Sequence, residues 1–551
     1  MNFVKPPNRL LPFIEILLIV LFACVPLFSS FPYRINIFLS WDGAYRISQG
    51  EFPYKDFGLP LGYGFWIIPS LFFKLFGPEM ITLIKAQAFV NIISGLAFIT
   101  ILKQLKIHPY IRFASLLVYI FSYSFPNFWP WYNHTVIVYE FISLAFLLKY
   151  LRPLDNSSRN SSLSLLWLVL SAFFIFLSFF TKQDGGGLGL LICFALLVYD
   201  YIIYRKIKPI VVFILSFVVT ALIFILPVLS YNFGYWFNHG QPPHTSRFSI
   251  VELISMLMSG SMWLKFYILL SVILLQPLLY PFKSFFRNER LMFITLLSLG
   301  ILTEAIIFQF TSYVPPENNI FFHSFGLMFV LTLLNELNIL KPVSAKSLYL
   351  LTILVALWWS QVYWKYIDRK IQRTLATTKT TSPTGENLIN QRTYIYNLDS
   401  NVQSKWVFTS VPGFKKIYMP HSTVDGINRL ISNKTIQSEV SNNRILNMTE
   451  LTPLSYVMGF KSERGSEYPL WYHLGVGMFN KQKDMYCKRI SQNYYDAVFY
   501  EYIPALNNFY PFEVRNALQQ NYTLIDSFMA PRMAPTNGTI EIYVKKQVSN
   551  K

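Results

Sequence analysis

The chain has 551 residues, of which 53% are hydrophobic, 18% aromatic and only 14% charged. A soluble globular protein carries about 25% charged residues, so the deficit excludes an ordinary soluble enzyme and points to a membrane protein. The formal charge of +19 forms no basic block; most cations before residue 364 sit in short loops between apolar runs, which excludes nucleic acid as a partner.

The opening "MNFVKPPNRLLPFIEILLIVLFACVPLFSS" starts like a signal peptide. Its apolar stretch is too long, and no small-residue cleavage site follows. It reads as a retained first span with its basic end in the cytoplasm. Apolar segments then recur near 81–102, 113–126, 135–150, 163–180, 188–204, 209–230, 264–280, 291–310, 320–338 and 347–364. Most approach the ~20 residues that cross a bilayer, with 113–126 short, which predicts about eleven spans. The aromatic stretch 61–77 reads as an interfacial helix or a further crossing. The expected fold is an α-helical polytopic membrane protein with a C-terminal extracytoplasmic α/β domain, divided as 1–364, a linker at 365–385, and 386–551.

Alternate loops carry the cations. Lys5, Arg9, Lys103, Lys106, Arg112, Arg205, Lys206, Lys208, Arg287 and Arg290 fall on one side, which the positive-inside rule assigns to the cytoplasm. The other side holds "FLSWDGAYRISQGEFPYKDFGLPLGYGFW" (38–66), "NFWPWYNHT", "TKQDGGG", "YNFGYWFNHGQPPHTSRF" and "TSYVPPENNIFFH". Carboxylates, amides, histidines and aromatic rings concentrate there, so function is expected on the extracytoplasmic face.

Within those loops, Lys182 and Asp184 stand at the mouth of a span beside three glycines, suited to an anion or a substrate at a helix start. Glu317, Asn318, Asn319 and His323 form a second polar group, and Arg247 a third position. The Glu317–His323 spacing is not that of a zinc-binding helix; a divalent cation is a candidate cofactor only with Asp42 or another loop completing the shell. Lys85 lies about one turn inside the second span, where its alternatives are snorkelling and meeting a lipid-linked phosphate. Glu15, Glu140 and Glu304 are embedded in spans, where charge is costly. The three cysteines give no disulfide framework. Beyond the linker, "KWVFTSV", "YDAVFYEYI", "TLIDSFM" and "EIYVK" read as strands and "PFEVRNALQQNY" as a helix, the order of an α/β domain. "PLWYHLGVGMF" is a buried core strand or a sugar contact.

Asp42, Tyr45, Gly50, Pro53, Tyr54, Asp56 and Phe57 form an Asp-x-x-Tyr, Gly, Pro-Tyr-x-Asp-Phe pattern after the first span. It resembles the first periplasmic loop of the polytopic GT-C glycosyltransferases, which take sugars from polyprenyl-phosphate donors and include the aminoarabinose, mannosyl and arabinosyl transferases of bacterial envelopes. The resemblance implies that Asp42 lies at the active site, that a C-terminal domain caps the membrane part, and that the chain is an integral protein of a bacterial inner membrane. Trp-Asp-Gly replaces the paired acids of several members, so Asp56 or Glu51 is the candidate second acid.

The expected function is a membrane glycosyltransferase moving a sugar from a lipid-linked donor to a glycan, lipid or protein acceptor. Asp42 is the expected base and Tyr54 a substrate contact; Arg46, Lys85, Lys182 and Arg247 are candidates for the phosphate. The alternatives are an envelope-glycan polymerase, ligase or flippase, or a transporter; the last is weakened by the lack of an internal repeat. In the same reading Gly43, Gly50, Gly58 and Pro53 bend the loop, and Tyr45, Phe52, Tyr54, Phe57 and Trp66 anchor it at the membrane interface.

Overall fold

A computed structural model describes residues 10–28, 31–32, 35–58, 60–125, 127–154, 162–237, 254, 258, 262–312, 321–339, 345–358, 395–399, 402–415, 417–434, 436–437, 444–470, 472, 478–504, 506, 510–532 and 537–546. In chain order the first part holds α1 (Leu11–Ala23), α2 (Ile35–Ser48), α3 (Ile67–Phe76), α4 (Met80–Gln104), α5 (Pro109–Tyr119), α6 (Tyr132–Leu151), α7 (Ser162–Thr181), α8 (Gln183–Tyr204) and α9 (Lys208–Leu229). α10 (Met262–Leu275), α11 (Phe282–Arg287), α12 (Glu289–Ser312), α13 (Phe322–Glu336) and α14 (Ala345–Trp358) follow. Every apolar segment read from the sequence carries a helix. Seven helices among the described residues are long and apolar enough to cross a membrane, and the chain is an integral membrane protein.

These helices are apolar on every face, so burial rather than amphipathicity shows their place. α6 is 83% buried over its apolar window, whereas α9 is 17% buried. α6 therefore forms the centre, packed by α4, α7 and α8, and α9 lies at the rim. Glu15 on α1 meets Arg112 on α5 at 2.7 Å, a buried ion pair. Glu140 on α6 and Glu304 on α12 meet each other, and no other described residue donates a hydrogen bond to either. Both are partners within the bundle rather than parts of the outer loops.

The C-terminal part builds two sheets. β1 (Phe31–Pro32), β2 (Ile395–Asp399), β3 (Val402–Phe408) and β4 (Ile417–Pro420) form the first, in the order β1-β4-β3-β2. α15 (His421–Ser432) leads to β5 (Ile445–Met448), α16 (Leu454–Met458), α17 (Phe479–Ser491), β6 (Ala497–Tyr502), α18 (Phe512–Asn521), β7 (Tyr522–Met529) and β8 (Thr539–Lys545). The second sheet runs β5-β6-β8-β7, with β5 and β6 parallel and the rest antiparallel. All four segments read as strands and the Pro-led helix appear here. β-Branched and aromatic side chains on β6 face a core shared by both sheets.

The first outer loop belongs to this domain as much as to the bundle. β1 pairs in parallel with β4, Phe31 opposite Ile417. Gly58 donates to the Tyr468 carbonyl at 2.7 Å and accepts from Leu470 N at 2.9 Å. A Cβ on Gly58 would lie 2.3 Å from the Tyr235 ring, so only glycine fits this approach.

Candidate active site

Residues 38–48, read as part of a kinked loop, are the body of a helix. α2 runs 14 residues and is closed by Gly50, whose φ of +83° needs no Cβ. Tyr54, Phe57 and Trp66, read as interfacial anchors, are each 1% exposed. Phe57 and Trp66 pack in the core shared with the C-terminal domain, and Tyr54 packs in the helix bundle against Phe233. Tyr45 stacks on Trp41 at 4.7 Å, and Phe52 keeps an exposed ring.

The helical spacing puts Asp42 and Arg46 on one face of α2, one turn apart. Arg46 Nε stands 3.4 Å from Asp42 Oδ2 and Arg46 Nη1 2.8 Å from Glu51 Oε2. Nη1 also donates to the Glu463 carbonyl at 3.1 Å, while Nε makes no hydrogen bond. The guanidinium lies over the Tyr468 ring at 4.6 Å and near Phe57 at 5.5 Å. Arg464 reaches the other Glu51 oxygen at 3.1 Å. Arg46 is thus committed to two carboxylates and a carbonyl, and Glu51 to two arginines.

Asp42 is 6% exposed, and its long ion pair with Arg46 is off the hydrogen-bonding line. Burial pushes its carboxyl from 3.8 up to about 6; Arg46 opposes the shift and the Glu51 carboxylate adds to it. Such a group is a base at neutral pH and an acid below pH 6, the range that general-base chemistry uses.

Asp42 opens onto a pocket of about 460 Å³, counting the part open to solvent. Phe38 and Leu39 of α2 form one wall with it, and the C-terminal domain forms the other through Asn447, Thr449, Glu450, Thr452, Tyr468, Leu470, Tyr472 and Tyr510. Thr452 Oγ1 donates to the Phe38 carbonyl at 3.2 Å, closing one end. Of these wall residues, the sequence singled out only Asp42 and the 469–479 stretch. Asn447, Thr449, Glu450, Thr452, Tyr468 and Tyr510 lie in plain strand-and-turn contexts hundreds of positions away.

The other candidate residues lie apart from this pocket. Asp56 Oδ2 accepts from Phe52 N at 2.7 Å and caps its own turn. Tyr54 donates to the Leu61 carbonyl at 2.6 Å. Lys85, on the outer turns of α4, is exposed and holds its ammonium 5.2 Å from the Phe76 ring. Lys182 donates to Asn133 Oδ1 at 2.8 Å, pairs with Asp184 at 3.8 Å and lies 4.3 Å over Phe308. His323 is buried at the start of α13, stacked on Phe322 at 4.3 Å. Arg247, Glu317, Asn318 and Asn319 lie outside the described residues. Among the described residues no cluster of three or more His, Cys, Asp or Glu side chains would hold a metal ion.

No protein-family model and no curated protein matches the sequence. Solved structures do match it in shape. Apo ArnT from Cupriavidus metallidurans is 9% identical with a TM-score of 0.52, over 96% of this chain and 97% of that one. ArnT bound to undecaprenyl phosphate gives 10% and 0.48 over the same shares. The arabinofuranosyltransferase AftD from Mycobacteria gives 12% and 0.47, over 98% of this chain and 40% of that one. At this identity the apo ArnT match establishes the fold alone: a polytopic helical membrane protein with the ArnT architecture that continues into a small C-terminal α/β domain.

Proposed function

We propose that the protein transfers a sugar from a polyprenyl-phosphate-linked donor to an acceptor hydroxyl on the extracytoplasmic face of a bacterial inner membrane, with Asp42 as general base. One observation carries the assignment: a carboxyl group more than nine-tenths buried, its pKa pushed by burial up to about 6, lines a pocket between α2 and the C-terminal domain. The GT-C fold and the loop pattern around Asp42 support the same reading.

In this reading the Asp42 carboxylate takes the acceptor's hydroxyl proton as that oxygen bonds to the anomeric carbon. The bond from that carbon to the phosphate oxygen breaks, and the electron pair leaves with the polyprenyl phosphate. Arg46 holds Asp42 in place and limits its rise in pKa, while Glu51 in turn holds Arg46. Lys85, on the outer turns of α4, is the candidate cation for the donor phosphate, since charge stabilisation at a leaving group often dominates such reactions.

The test is transfer of radiolabelled sugar from the lipid-linked pool by purified Asp42→Asn protein. Loss of a positioned base costs ~10²–10⁴ in rate, so a fall of that size at normal protein level is expected. Transfer at the parent rate would move the base elsewhere.

A further inference from the structure

The pocket beside Asp42 is one-sided in charge. Among the described residues its wall contains two carboxylates, Asp42 and Glu450, three tyrosines, and no Lys, Arg or His. Glu450 is fixed rather than loosely placed. In the turn after β5, Thr449 N and Oγ1 donate to Asn447 Oδ1 at 3.1 and 2.7 Å, and Leu451 N donates to Thr449 Oγ1 at 3.1 Å. Glu450 N donates to Glu501 Oε2 on β6 at 2.8 Å. Arg532 bridges the two glutamates through Nε to Glu501 and Nη2 to Glu450. Arg532 is 9% exposed, Glu450 6% and Glu501 0%. Glu450 is the member of this group on the pocket wall.

An anionic ligand here would face Asp42 and Glu450 with no cation among the described wall residues. Like-charge contact in a partly desolvated site is strongly unfavourable. A neutral polyol meets a different surface: carboxylate oxygens accept from its hydroxyls, and the Tyr472 and Tyr510 rings on the wall supply apolar surface for its C–H bonds. A sugar ammonium would add charge attraction. From this geometry we infer that the cleft between α2 and the C-terminal domain is the subsite for an acceptor sugar bearing no phosphate or carboxylate, with Glu450 as its specificity-determining residue. The assignment of the bound sugar as acceptor rests on Asp42 being the base; the charge selection does not. The donor's phosphate then approaches Asp42 from the membrane side.

The full chain in phosphatidylcholine nanodiscs is titrated, by saturation-transfer NMR, with methyl glycosides of glucose, galactose and mannose, with glucosamine, and with the 6-phosphates of the three hexoses. At least one neutral or amino sugar is expected to bind saturably, with each 6-phosphate at least ~10-fold weaker, the scale of about 1.4 kcal/mol. Leu470→Lys adds a cation to the wall and is expected to narrow that gap at least ~3-fold, about 0.65 kcal/mol. A 6-phosphate binding as well as its parent, or no saturable binding by any neutral or amino sugar, overturns the inference. So does a folded Leu470→Lys protein with the gap unchanged; if that variant does not fold, the parent comparison decides alone. Sugar selection with full transfer by Asp42→Asn would remove the base assignment and leave the subsite. Phosphate preference with slow Asp42→Asn would do the reverse.

Discussion

Asp42 and Arg46 are one helical turn apart on α2, and the C-terminal domain dries both. The resulting carboxyl, raised from 3.8 to about 6, has two consequences of opposite sign. Activity needs the ionised form, so kcat/KM should rise tenfold per pH unit up to about pH 6 and then level. Stability runs the other way, because the folded state holds the proton more tightly than the unfolded one. This contribution is complete below pH 3.8 and is lost as pH rises through about 6, a swing of about 3 kcal/mol. Asp42→Asn removes the titration, so its melting temperature relative to the parent should climb between pH 4 and pH 7.5 while transfer collapses. A melting difference independent of pH would show that Asp42 is not perturbed in the fold. At this scale the sequence reached Asp42, Arg46 and Glu51 because they fall within ten positions. Glu450, Glu501 and Arg532 escaped it because their grouping exists only once β5 pairs with β6.

Helix α2 shows why element type was harder to read than element position. Gly43 and the aromatic residues around it look like a bent interfacial loop, yet Gly43 lies mid-helix because a Cβ there would lie 2.0 Å from the Trp66 ring. The sequence marks polar and apolar runs but not which outside segment will be covered, and coverage by the second domain and the bundle turned Tyr54, Phe57 and Trp66 from expected membrane anchors into core. The long apolar helices were legible because hydropathy alone places them. Their contacts depend on close approach: a Cβ on Gly62 would fall 1.6 Å from the Phe180 carbonyl oxygen at the end of α7. Backbone cannot yield as a flexible side chain does. Gly62→Ala should therefore lower stability by ~1–3 kcal/mol, the scale of overpacking, read as a fall in melting temperature in detergent. Gly50→Ala meets nothing within 4 Å and should cost only about 1 kcal/mol for its left-handed backbone. Equal melting of Gly62→Ala and the parent would refute the packing.

Taken whole, the molecule is joined across what the sequence presents as a boundary. Composition divides the chain near residue 364, but β1 enters the C-terminal sheet, Arg464 pairs with Glu51, and Gly465 N donates to the Asp56 carbonyl at 2.9 Å. Eight of the eleven described residues of the pocket wall are C-terminal. Removing residues 386–551 should therefore abolish transfer although every apolar span and Asp42 remain. It should also expose α2 to proteolysis, measured by limited digestion in membranes. Co-expression of 386–551 as a separate chain should restore some protection, because the contacts are non-covalent. An active, protease-resistant truncation would make the domain dispensable.

The same joining sets an order on biosynthesis. Arg46 leaves the ribosome early, and its carbonyl partner at Glu463 is 417 positions later. Contacts so distant along the chain form late, after the loop-closure entropy has been met. The spans insert one after another while α2 waits with a half-built floor, its apolar face uncovered and its carboxyl wet. A nascent chain stalled or cut anywhere before residue 463 holds a titratable aspartate without its dry surroundings. If Asp42 is the base, as proposed, catalytic competence then belongs to the finished polypeptide and not to any shorter nascent chain.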